Sequence, residues 1–156
     1  MRPAARLIEP LLVAGLFLAD RLTKAWALRS LRPIEGIPVL PFFRLTYVEN
    51  TGAAFGMGPR RNGLFIAVAA VLLVGLLYWR RRWPKENRWL QYGALLVIAG
   101  ALGNLYDRIA YGFVVDFLDF GVSPALRWPA FNVADSCITV GAVCLAWGLK
   151  PEDAKK

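Results

Sequence analysis

Residues 89–109 read WLQYGALLVIAGALGNLYDRI, an apolar run that stays free of charge until it closes on Asp107 and Arg108. At 1.5 Å of rise per residue, a helix of that length covers about 30 Å, the thickness of bilayer hydrocarbon. Three more runs share its character, at residues 7–28, 63–79 and 130–149, so the sequence predicts four spans. Four spans put both termini on one side of the membrane. The positive-inside rule makes that side cytoplasmic, because Arg2 and Arg6, the basic stretch 80–88, and Lys150, Lys155 and Lys156 gather there. Arg60 and Arg61 fall on the other face, in a longer segment where basic residues are sparser. The first run also has signal-peptide features, with Ala25-Trp26-Ala27 as a cleavage site, but Asp20, Arg21 and Lys24 interrupt the approach to it.

Composition agrees with a bilayer protein. Of 156 residues, 57% are hydrophobic, and the charged ones cluster between the apolar runs. Histidine is absent, which removes Ser-His-Asp and Cys-His catalysis and the commonest zinc sites. The net charge of +8 is compatible with nucleic acid, yet the densest basic stretch lies between two spans and no nucleic-acid motif accompanies it, so no nucleic-acid partner is expected. Cys137 and Cys144, seven apart in an apolar run, share a helix face too far apart to bridge and read as packing residues.

Two segments connect the spans on the outer side, residues 29–62 and 110–129. In the first, Phe43, Leu45 and Tyr47 alternate with Arg44 and Thr46, the period of a half-buried strand, so a small sheet is expected on the outer surface. The second carries Phe113, Val114, Val115, Phe117, Leu118 and Phe120; a loop this apolar should dip into the interface or pack on the sheet. The expected architecture is a mainly α integral membrane protein, a single domain over residues 1–156. Nothing in the chain marks an internal repeat or linker.

Ionisable and amide groups inside spans are costly and mark a functional interior or a cavity. The helical rise puts Asp20 roughly 20 Å from the inner surface, Lys24 about 6 Å further, Asp107 roughly 27 Å up, and Asp135 roughly 8 Å below the outer surface. These levels coincide in the outer third of the membrane. Asp20 and Lys24 are spaced i, i+4, and Asn104/Asp107 and Asn132/Asp135 are spaced i, i+3, so each pair shares a helix face. Asp20 with Lys24 reads equally as a functional pair or as an ion pair that makes the helix insertable. Asp107 and Arg108 read as structural, with Arg108 free to reach an anionic lipid head group.

Asp116 and Asp135 have no basic neighbour in sequence, and Asp116 is flanked by Val114, Val115 and Phe117. Two carboxyls meeting in a low-dielectric site cannot both ionise easily; one keeps its proton while the other activates water, which is the chemistry of an aspartic dyad. The competing reading makes Asp116 a solvated loop residue and Asp135 a helix-start carboxylate favoured by the dipole.

Four blocks occurring in order resemble the bacterial lipoprotein signal peptidases, the signal peptidase II family: Asp20-Arg21-Leu22-Thr23-Lys24; Asn50-Thr51-Gly52-Ala53-Ala54-Phe55-Gly56; Gly103-Asn104-Leu105-Tyr106-Asp107-Arg108 followed by Gly112 and Val114-Val115-Asp116-Phe117; and Trp128-Pro129 with Phe131-Asn132-Val133-Ala134-Asp135-Ser136. The one departure is Ala99, where a glycine commonly precedes Gly100. The resemblance implies cleavage of a signal peptide just before a diacylglyceryl-modified cysteine of a prolipoprotein, in the bacterial inner membrane near its outer face. It also implies inhibition by globomycin-type peptides and no metal or organic cofactor. It makes Asp116 and Asp135 the catalytic pair. Asn50, Asn104, Arg108 and Asn132 would bind substrate or orient the site, Asp20, Lys24 and Asp107 would give polar support, and an outer loop bearing Asp116 would lie over the active site of a monomer in contact with membrane lipids. The rivals are a proton- or ion-coupled carrier using the intramembrane Asp, Asn and Lys, and a non-catalytic scaffold.

Overall fold

The computed structural model describes residues 3–34, 36–52, 62–123 and 126–150. Residues 53–56 of the second block lie outside the described residues, as do Arg2, Arg60, Arg61, Lys155 and Lys156. The chain runs α1 (Pro3–Ser30), β1 (Ile37–Leu40), β2 (Phe43–Asn50), α2 (Asn62–Arg80), α3 (Arg88–Ala110), β3 (Val114–Phe120) and α4 (Val133–Gly148).

The apolar runs become helices, with one instructive shift at the last. α4 begins at Val133, not at residue 130, because Phe131 and Leu118 exchange backbone hydrogen bonds of 3.0 and 2.8 Å and hold the chain extended up to Asn132. Asn132 then caps the helix in a reciprocal box with Asp135. Among the described residues, α2 and α3 are long and apolar enough to cross a membrane; α4 is apolar but shorter. α1 is long and carries Glu9, Asp20, Arg21 and Lys24.

α3 is the axis of the molecule and packs on each of the other helices. Its seam with α4 is tight: a Cβ on Gly100 would lie 2.3 Å from the Ala134 carbonyl oxygen, so only glycine fits there. Ala99 is buried beside this contact, where the close approach falls on Gly100, so the departure from the family pattern does not obstruct the seam. At the α2–α3 turn, the buried Gln91 side chain donates to the carbonyls of Arg80, Trp83 and Pro84, while Asn87 caps α3 and donates to Gly148 O at 2.9 Å, closing α3 against the end of α4.

The three strands form one antiparallel sheet in the order β1-β2-β3, packed on α1 and α3 at the end opposite the α2–α3 turn. β2 is the expected strand. β3 corrects the reading of Asp116 as a loop residue: it pairs with β2 from Asn50↔Val114 and Val48↔Asp116 through to Phe43↔Phe120. Val114, Val115, Asp116 and Phe117 are all buried, so the segment lacks the alternation that betrays a half-exposed strand. Val115 and Phe117 join Ala27 and Leu31 of α1 in an apolar core beneath the sheet.

Candidate active site

Asn132 is the residue on which the site is built. Its Oδ1 accepts the Asp135 backbone N–H at 2.9 Å, and its own backbone N–H donates to Asp135 Oδ2 at 3.2 Å. That leaves its Nδ2 to donate outward, 2.7 Å to Asp116 Oδ1. One fully buried asparagine therefore holds an acid on β3 and an acid on α4. Each acid has a second amide of its own: Asn50 Nδ2 donates to Asp116 Oδ2 at 2.9 Å, and Asn104 Nδ2 to Asp135 Oδ1 at 2.7 Å.

Both acids line a single cavity of about 910 Å³, bounded by Val48, Trp128, Phe131, Ile138 and Val140 and open to the surroundings. Burial of Asp116, followed by the nearby charge of Asp135, pushes its carboxyl up to about 7, against the opposing hydrogen bonds from Asn50 and Asn132.

Behind the acids lies a buried ionic cluster. Lys24, with no exposed surface, sits 3.0 Å from Asp20 Oδ2 and 3.0 Å from Asp107 Oδ2, and donates to Asn104 Oδ1 at 2.9 Å. Arg21 pairs with Asp107 and stacks over Tyr106. Asp20 Oδ1 accepts the Ala134 backbone N–H at 2.9 Å, and Asp107 Oδ2 accepts the Val115 N–H at 3.2 Å. Groups separated by most of the chain thus meet at one level of the bundle. Arg21 carried no signal of its own, because its partner is on another helix and no spacing rule connects them.

Arg108 faces this cluster electrostatically through Asp107 but makes its direct contacts elsewhere. Its Nη2 donates to Gly52 O at 2.7 Å and its guanidinium covers the Phe65 ring, while Asn62 donates to its carbonyl, tying α3 to the start of α2 and the end of the sheet segment. Ser136, which the sequence did not single out, also borders the acid-lined cavity and donates to Asn132 O at 3.0 Å.

The helical bundle with its small antiparallel sheet has the fold of solved structures described as a bacterial membrane enzyme. Two solved structures of that description, determined by the in meso method at 2.3 and 1.9 Å, are similar to this chain with TM-scores of 0.83 and 0.80 and 30% identity, covering 91% of it and 87% and 92% of their own lengths. Residues 12–150 match the family described as signal peptidase (SPase) II, and the chain belongs to that family. Its relatives include a lipoprotein signal peptidase of Pelotomaculum thermopropionicum, 43% identical with 93% of both chains covered, and one of Clostridium acetobutylicum, 40% identical over 96% of this chain and 97% of that one. Another, from Shewanella amazonensis, is 47% identical over 85% of this chain and 81% of its own.

Proposed function

We propose that the protein is an aspartic endopeptidase which removes the signal peptide from prolipoproteins, with Asp116 and Asp135 as the catalytic residues. The observation that carries this reading is that both acids, from different elements, line one cavity while sharing Asn132 as a hydrogen-bonding partner. Family membership supports the lipoprotein substrate, and the resemblance supports cleavage before the lipidated cysteine.

In this reading the two carboxyls come within reach of one water molecule. Asp116 is the natural holder of the shared proton, being fully buried and pushed up to about 7 by that burial first and by the Asp135 charge second. Asp135 stands in the first turn of α4, where backbone N–H groups and the helix dipole favour negative charge. Asp135 takes a proton from water as its oxygen adds to the scissile carbonyl carbon, and Asp116 gives its proton to the carbonyl oxygen. When the tetrahedral intermediate collapses, the C–N bond breaks, Asp135 passes its proton to the leaving nitrogen, and Asp116 recovers one from the hydroxyl that becomes the carbonyl. Asn104 and Asn132 orient the acids, and Asn50 and Arg108 border the path of the substrate.

The chain acts as a single membrane-embedded domain with four spans. α1 supports this despite its charges, because Asp20, Lys24 and their partner Asp107 are buried against one another and not offered to lipid. The sheet and the acids lie at the outer face, and both termini are cytoplasmic.

The test is cleavage of a diacylglyceryl-modified prolipoprotein by purified Asp116→Asn and Asp135→Asn variants. Each should lose at least about 100-fold in rate, the share an acid or base supplies. Full activity in either excludes the dyad. A second arm reconstitutes the protein in vesicles: proton flux without cleavage is the result a carrier requires.

A further inference from the structure

Lys24 touches neither acid, yet its contacts lead to both. Of the two carboxylates it bridges, Asp20 holds the backbone N–H of Ala134, the residue immediately before Asp135. Asp107 holds the backbone N–H of Val115, the residue immediately before Asp116. The third contact of the ammonium, on Asn104 Oδ1, turns that amide so that its Nδ2 faces Asp135 Oδ1 at 2.7 Å. Each acid is therefore gripped through the backbone N–H of the residue that precedes it, and one buried cation joins the two grips.

We infer that Lys24 is a positioning residue which sets the separation and orientation of Asp116 and Asp135 by clamping Asp20 and Asp107 together and fixing the Asn104 amide. This rests on the dyad reading and goes beyond support of α1 alone. A neutral side chain at position 24 leaves two buried carboxylates facing each other without their shared cation, and mutual repulsion drives Ala134 and Val115 apart. It also leaves the Asn104 amide free to turn over, which would present its oxygen to Asp135. Displacement of reacting groups by about 1 Å costs on the order of 100-fold in rate.

The groups facing this cluster are Arg21 on α1, Tyr47 on β2, Arg108 on α3, Asp116 on β3, and Asp135 and Cys137 on α4. Lys24 favours the ionised form of Asp116. Its removal moves the Asp116 titration upward.

The experiment compares Lys24→Met with the double variant Lys24→Met, Asp20→Asn. The double variant keeps the buried charges balanced, since Asp107 retains Arg21, and it guards against a single variant that fails to fold. The purified protein, confirmed as folded by its thermal transition, is assayed on lipidated prolipoprotein across pH. The expected result is a kcat lower by about 100-fold, with KM within a few-fold of wild type and the alkaline limb of the profile moved to higher pH. A folded variant with wild-type kcat and an unmoved profile overturns the inference. The dyad reading fails separately, on full activity of Asp116→Asn or Asp135→Asn, whatever the Lys24 variants do.

Discussion

Asp116 meets two amide donors, yet burial in an apolar setting outweighs them and pushes its carboxyl up to about 7. A raised carboxyl pKa means that the folded state holds a proton the unfolded state has released. The associated stability is complete below the ordinary value near 3.8 and is lost as pH rises through about 7. Asp116→Asn has no proton to lose, so its unfolding free energy should improve relative to wild type as pH is raised from 4 to 8, read by reversible unfolding in detergent. A parallel course of the two proteins across that range would show that Asp116 titrates normally. Activity should follow the same group, with cleavage falling as pH climbs past about 7 and the acid is spent. In Asp135→Asn the second cause of the shift is removed, and the Asp116 titration, followed by carboxyl carbon NMR, should move down without reaching the ordinary value, since burial remains. At this scale the sequence named residues that the structure brings together. Asn132 and Asp135 were legible as neighbours from their i, i+3 spacing. That Asn132 also holds Asp116 was not, because no local rule links a helix cap to a strand sixteen residues earlier.

Between elements, the start of α4 decides the site. Asn132 does two separable jobs, capping α4 and offering an amide to Asp116. Asn132→Ala should cost about 1 kcal/mol of stability through the lost cap and most of the activity through the lost amide. Asn132→Ser restores a capping oxygen but reaches Asp116 with no amide, so it should recover the stability and leave the rate low. A serine variant with near wild-type turnover would mean that the amide on Asp116 is dispensable. The same junction shows why the strands were harder to read than the helices. β2 alternates and announces itself; β3 is buried along Val114–Phe117 and reads as an apolar loop, and β1 is exposed at every position. The pairing of Phe131 with Leu118, which delays α4 by three residues, is a tertiary contact that hydropathy does not register.

For the molecule as a whole, four apolar runs made the helical architecture plain, while what was illegible was which polar groups pair across the helices. The i, i+4 spacing paired Lys24 with Asp20, but only the assembled helices bring Arg21 and Lys24 onto Asp107. This polar layer is set far from the opposite end. Gln91, which closes the α2–α3 turn, precedes Asn104 on the same helix by about 20 Å of rise, and Leu95 and Ile98 between them are buried and apolar. The acids therefore lie towards one end of the bundle, and its orientation decides whether an exported substrate can reach them. Cations are densest at the α2–α3 turn, where Arg80, Arg81, Arg82, Lys85 and Arg88 fall within a short stretch, so that end should stay in the cytoplasm. Glu86 in this turn and Val122 beyond β3 are both exposed and lie at opposite ends. With Val122→Cys, a membrane-impermeant maleimide should label intact spheroplasts; with Glu86→Cys, labelling should require lysis. The native thiols should contribute little, as Cys137 is buried and Cys144 half-buried. The reverse pattern would put the acids at the cytoplasmic face, where a secreted prolipoprotein never presents its cleavage site, and the proposed reaction would lose its substrate.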